Sequence, residues 1–243
     1  MDRARSPDDS SRSSSLETGA VKCRLCNDEG TRIVGGKVIV CECAIRKERE
    51  QALMKFKLGA VGQRFLNATF ESYKPRSRSQ ELAKQKMTAN PRANYFLWGD
   101  FRAGKTHLLA AQLDWILRRH FQVGEPGAEW LSEPDLAQQQ RSQWANSWET
   151  SIRRVDLPGL SNRKRLPFFL DDLGKAKTTD FLRQELFSLI DMLFKGPRVE
   201  GGERFGLSVS ANEPIEVLAE EDRIGGAVMS RIDDMAEIIH VEL

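Results

Sequence analysis

From Asn94 onward the apolar positions alternate between two periods. Tyr95–Trp98 is a short apolar run stopped by Gly99, the pattern of a buried strand. From Lys105 to Arg119, Leu108, Leu109, Leu113, Ile116 and Leu117 recur at helical spacing. Glu129–Leu131 reads as a further strand and Asp135–Trp148 as a polar helix. Phe168–Leu170, set off by Pro167, is a second strong strand. Thr178, Thr179 and Asp180 supply N-cap chemistry for a helix carrying Leu182, Leu186, Leu189, Ile190 and Leu193, which Gly196-Pro197 ends. Phe205–Val209 and Ile238–Val241 are the last strands, with short helices at Pro214–Ala219 and Ala227–Ile232 between them. Strands alternating with helices predict an α/β fold, a parallel sheet flanked by helices on both faces.

The first 92 residues have a different texture. Residues 1–19 are rich in Ser, Arg and Asp and offer little to bury, so they read as a disordered tail. Residues 20–62 hold all four cysteines and a charged helix, Ala44–Leu58, with Leu53, Met54, Phe56 and Leu58 as its apolar positions. Residues 63–92 read as a connector with basic residues at Lys74, Arg76 and Arg78. Residues 93–243 form the α/β domain.

Composition adds few constraints. In 243 residues, 40% are apolar and 30% charged, and the net charge is +2, so any nucleic-acid site must be a local patch. There is no apolar run long enough for a membrane span, and Met1–Glu17 lacks the apolar centre of a secretion signal. The expected location is cytoplasmic.

Gly99-Asp100-Phe101-Arg102-Ala103-Gly104-Lys105-Thr106 follows a strand and opens a helix, the context a phosphate-binding loop requires. Gly99 and Gly104 permit the tight turn that points backbone N–H groups inward, and the helix N-terminus adds partial positive charge. Lys105 is expected on the β- and γ-phosphates of ATP and the Thr106 hydroxyl on Mg²⁺, with the loop residues and His107 as nucleotide contacts. Asp171 and Asp172, at the end of the second strong strand, are the matching carboxylates. Asp171 is assigned to Mg²⁺, directly or through water, and Asp172 to the base or water-positioning role. A polar residue after the third strand belongs near the γ-phosphate, Asn212 being the first choice and Ser210 the second. Arg231 is either a surface arginine or one that reaches a neighbouring subunit's nucleotide.

Cys23-x-x-Cys26 and Cys41-x-Cys43 bracket Ile33-Val34 and Val38-Ile39-Val40, joined by Gly35-Gly36. A hairpin there returns the second pair to the first, and four thiolates suit a structural Zn²⁺.

Taken together these features resemble the bacterial and phage replicative helicase loaders of the DnaC/DnaI type, within the AAA+ ATPases. The similarity runs from about Cys23 onward and is carried by Gln63–Glu71, by Asp171-Asp172-Leu173-Gly174-Lys175, by Ser210-Ala211-Asn212 and by Met229-Ser230-Arg231-Ile232. It implies an AAA+ domain, a homo-oligomer when ATP is bound, contact with the replicative DNA helicase through the N-terminal region, single-stranded DNA as a partner, and Arg231 as an arginine finger. Lys175 and Lys177 are either DNA-phosphate contacts or a solvated helix start. The module before the ATPase domain leaves little room for a separate helicase-binding domain beyond Ala44–Leu58. No sensor II arginine follows the last strand. The expected function is ATP-dependent loading of the helicase onto single-stranded DNA. The alternatives are a transposase-helper ATPase and a zinc-dependent adaptor that binds ATP without turnover.

Overall fold

The computed structural model describes residues 23–120, 128–133, 167–175, 178–195 and 206–243. The chain divides into two compact units, Met1–Glu48 and Arg49–Leu243.

In the first unit, strands β1 (Thr31–Val34) and β2 (Lys37–Val40) pair antiparallel, with Val34 opposite Lys37. Gly35 and Gly36 form the two-residue turn, with φ of 58° and 77°. Two consecutive positive φ values match the right-handed twist of a ribbon, and glycine adopts them without a Cβ clash. Both cysteine pairs lie at the open end of this ribbon, opposite the turn, where Cys41 donates its N–H to Gly30 O.

Helix α1 (Glu42–Val61) begins in the first unit and continues into the second. The second unit is built on a five-stranded parallel sheet of β3 (Tyr95–Trp98), β4 (Glu129–Ser132), β5 (Phe168–Leu173), β6 (Leu207–Ala211) and β7 (Glu237–His240). Their spatial order is β4-β5-β6-β3-β7. Alternation along the strands divides the core between two faces. Phe96, Phe168, Leu170, Leu207 and Val209 pack against helices α4 (Asp180–Lys195) and α6 (Gly226–Met235), beside the short α5 (Ile215–Leu218). Tyr95, Leu97 and Phe169 face the other way, onto α3 (Lys105–His120), with Leu53 of α1 and with Ala83 and Met87 of α2 (Arg78–Ala89) in the same cluster. The parallel sheet covered on both faces is therefore present.

Three details differ from the sequence expectation. Residues 63–92, read as a connector, contain α2. Its N-cap is Ser77, whose hydroxyl accepts from Gln80 N, and its buried face is Gln80, Ala83 and Met87. A polar helix that buries only small and flexible side chains carries little periodic signal. The third strand runs Leu207–Ala211, two residues past its expected end at Val209, and Phe205 lies outside the described residues. The second strong strand extends past Leu170 through the carboxylates to Leu173, with an irregularity between Leu170 and Leu173. Residues 1–19, the Asp135–Trp148 helix, the Gly196-Pro197 stop and Lys177 lie outside the described residues. Among the described residues, no helix is long and apolar enough to cross a membrane.

Candidate nucleotide and metal sites

In open parallel sheets ligands bind beyond the carboxyl ends of the strands. Here three strand ends converge. Trp98 of β3 leads through the glycine loop into α3, β5 delivers Asp171 and Asp172, and β6 delivers Ser210 and Asn212. Asp171, Asp172, Asn212 and the loop border a cavity of about 700 Å³, and Ser210 is fully buried.

The loop is shaped by steric demand. Gly99 has φ 132°, and a Cβ there would lie 2.3 Å from Val241 O. Gly104 has φ 89°, and its Cβ would meet the Tyr73 ring at 2.7 Å. Only glycine meets both conditions at either position.

Lys105 is buried and points back into the loop. Its ammonium donates to Gly99 O at 2.8 Å, Asp100 O at 2.7 Å and Asn212 Oδ1 at 3.0 Å. Burial lowers its pKa, and the charges of Asp172, Asp171 and Asp100 oppose that shift. Asp171 is the hub of the second cluster. Thr106 Oγ1 donates to Asp171 Oδ1 at 3.0 Å, and Ser210 Oγ donates to the same oxygen. Burial raises the Asp171 pKa and the neighbouring Asp172 raises it further, while the two hydroxyl bonds pull it down. A hydroxyl and a carboxylate oxygen meeting beside a buried lysine are the oxygen donors that suit Mg²⁺ together with phosphate.

Both residues proposed for the position after the third strand lie at the site, with different partners. Asn212 holds Lys105. Ser210 bonds the Asp171 carboxylate and accepts the Asp172 N–H at 3.0 Å. Asp172 has φ 60° and its side chain pairs with Lys175 at 2.7 Å. Lys175 also borders the cavity, as do Phe101, Arg102, Ala103 and His107.

Arg231 is not among the residues bordering this cavity. It pairs with Asp191 at 3.0 Å, donates to Ala227 O at 2.7 Å, and lies over the Phe187 ring. The pairing partners Lys195 and Arg231 hold the Asp191 carboxyl below its ordinary pKa.

Sequence reasoning missed the contribution of residues 63–92 to this site. Arg64, Phe65, Lys74, Arg76 and Gln80 border the cavity, and Ser72 Oγ lies 3.0 Å from His107 Nε2. The Gln63–Glu71 run named in the resemblance was the available signal.

In the first unit the four cysteine sulfurs lie within 4.8 Å of one another. Cys23 Sγ is 3.8 Å from Cys41 Sγ, and Cys26 Sγ is 3.3 Å from Cys43 Sγ. Zinc–sulfur bonds of about 2.3 Å in a tetrahedron place sulfurs about 3.8 Å apart, so the donor set fits one such ion. Backbone N–H donation at Leu25 brings the Cys23 thiol down to about 7, whereas sharing with Cys26 pushes Cys43 up to about 12.

No protein-family model matches the sequence, and no curated protein matches it. Solved structures do resemble the fold. The crystal structure of the DnaC helicase loader aligns with a TM-score of 0.57 and 22% identity, over 74% of this chain and 99% of that one. DnaI aligns with a TM-score of 0.54 and 18% identity, over 74% and 93%. AMPPCP-bound DnaA from Aquifex aeolicus aligns with a TM-score of 0.55 and 16% identity, over 72% of this chain and 50% of that one. The likeness is one of fold. The α/β unit shares the fold of these helicase-loader and DnaA structures.

Proposed function

We propose that this chain is an ATP-dependent loader of the replicative DNA helicase onto single-stranded DNA. The observation that carries the reading is the convergence of Thr106, Ser210 and Asp171, beside Lys105 held by Asn212, on a fold that aligns with nearly the whole of a helicase loader.

The Lys105 ammonium exchanges the loop carbonyls it now bonds for ATP phosphate oxygens, to which it donates and whose charge it offsets. Thr106 and Asp171 hold Mg²⁺, which when bound neutralises charge on the phosphate oxygens. Asp172, released from Lys175, orients water for attack on the γ-phosphate. Arg231 serves the nucleotide of an adjacent subunit, so hydrolysis depends on a homo-oligomer formed with ATP. Hydrolysis then loosens that assembly and the helicase is left on DNA. The four thiolates of Cys23, Cys26, Cys41 and Cys43 hold one structural Zn²⁺.

The full chain, mixed with the replicative helicase of the same organism and a circular single strand, should transfer helicase to DNA with ATP. Lys105→Ala should abolish hydrolysis and transfer together. Helicase that neither binds the chain nor reaches DNA in its presence sinks the loader reading. Unchanged hydrolysis in Lys105→Ala sinks the nucleotide site.

Arg231 is tested by mixing. Arg231→Ala and Lys105→Ala are each expected to be inactive alone. Mixed, they should recover part of the ATPase rate, because some interfaces then pair an intact arginine with an intact loop. No recovery at any ratio would count against action between subunits.

Protein purified without chelator should carry one zinc per chain by elemental analysis. Cys26→Ser should reduce that content severalfold, since one fewer thiolate remains and the others lose their tetrahedral partner. Wild-type protein free of zinc rejects the metal site.

A further inference from the structure

We infer that Tyr73 is a positioning residue of the phosphate loop, aiming the Gly104 N–H at bound phosphate. This rests on the nucleotide reading above and names a residue that it does not use.

Tyr73 is buried, and its hydroxyl donates to Ala103 O at 3.1 Å. A trans peptide is planar, so its carbonyl and the following N–H point in opposite directions. Pinning the Ala103 carbonyl onto the Tyr73 hydroxyl therefore turns the Gly104 N–H away from that hydroxyl, toward the loop's own concavity. Phosphate is held there by backbone N–H groups. The absence of a Cβ at Gly104 lets the ring come this close.

The ring is itself fixed. Lys84 Nζ donates to Tyr73 O at 3.1 Å. The preceding turn is closed by reciprocal bonds, Thr69 N to Ser72 Oγ at 2.9 Å and Ser72 N to Thr69 Oγ1 at 3.1 Å. Ser72 Oγ also meets His107 Nε2, and the His107 ring stands edge-on to Tyr73 at 5.2 Å. Thus the segment before α2 grips both the loop and the first turn of α3, where Lys105 and Thr106 lie. Tyr73 itself borders the cavity, and its phenol sets the direction of a donor in the loop beside it.

Tyr73→Phe removes the hydroxyl and keeps the ring. It should weaken binding of AMPPCP with Mg²⁺, and of ADP with Mg²⁺, by about fivefold, the size of one hydrogen bond. Calorimetric titration of the full-length chain reads this. A parallel hydrogen-exchange measurement should show the Gly104 amide less protected by AMPPCP in the variant. Wild-type affinity in Tyr73→Phe overturns the inference, including the case in which only the melting temperature falls, because that is a packing role. If the wild-type chain binds neither nucleotide, the nucleotide reading fails first and this inference with it. Unchanged affinity in the variant alone strikes Tyr73 only.

Discussion

Asp171→Asn should abolish ATP hydrolysis and raise the melting temperature of the nucleotide-free protein. The two effects share one cause. Asp171 is only 8% exposed and stands beside a second carboxylate, so its charge is held where water cannot solvate it well. Its pKa in the fold lies above the ordinary carboxylate value, and the carboxyl's protonated form is favoured by folding. The contribution is therefore fully present below the unfolded pKa and is lost as pH rises through the folded pKa. Asparagine carries no such charge, and its Oδ1 still accepts from Ser210 and Thr106. The variant's advantage should be absent in acid, grow through that window and level off above it. A gain of about 1 kcal/mol is typical of a stabilising change made at the cost of function, or roughly 2–4 °C in a chain of this size. Hydrolysis should fall on the order of 100-fold or more, because an amide is a poor partner for Mg²⁺. Thermal melts at several pH values, set beside ATPase rates, check both halves. A variant less stable than wild type at neutral pH would mean that the two hydroxyl bonds outweigh the cost of burying the charge.

That site was legible because its chemistry is local in sequence. Gly99, Gly104, Lys105 and Thr106 lie within one turn between a strand and a helix. Each neighbouring strand also ends in the polar residues it contributes. The hairpin was legible for the same reason, since two adjacent glycines fix both the turn and the register that returns Cys41 and Cys43 to Cys23 and Cys26. What escaped was whatever depends on distant pairing. The Tyr73 hydroxyl finds a carbonyl thirty positions on, and nothing in Glu71-Ser72-Tyr73 announces it. Helix α2 hides Gln80, Ala83 and Met87 and exposes Leu82, so its hydropathy runs against its burial. Choosing between Ser210 and Asn212 from sequence could not succeed, because the fold gives each a separate partner. Lys57 and Asp114, charged residues on α1 and α3, are another such case: both are buried, and nothing in their local sequence pairs them.

Asp114→Ala should be among the most destabilising single changes in the α/β unit, costing about 3–5 kcal/mol. Lys57, with 1% of its side chain exposed, bonds Asp114 Oδ1 at 2.8 Å, and Arg118 Nε bonds Asp114 Oδ2 at 2.8 Å. The carboxylate thus serves a buried ammonium on one oxygen and a half-exposed guanidinium on the other. Removing it leaves the Lys57 charge in the core without the one hydrogen bond described for it, whereas Arg118 turns to water. Lys57→Ala should cost less, since Asp114 keeps Arg118. The order of the two single variants therefore separates a desolvation effect from simple loss of contact, which would make them equal. Replacing both with apolar residues of similar volume, Lys57→Met with Asp114→Leu, should recover most of the loss, because neither partner is then left charged and alone. Urea denaturation of all three full-length variants checks the ordering. A cost below about 1 kcal/mol for Asp114→Ala would show that Lys57 reaches solvent once its partner is gone. The consequence extends to nucleotide. Asp114 lies on the same helix as Lys105 and Thr106, and its pair ties that helix to α1. If α1 sets the position of α3, the double apolar variant will hold its stability and still bind AMPPCP more weakly. If the pair serves only the core, affinity will follow stability back to the wild-type value.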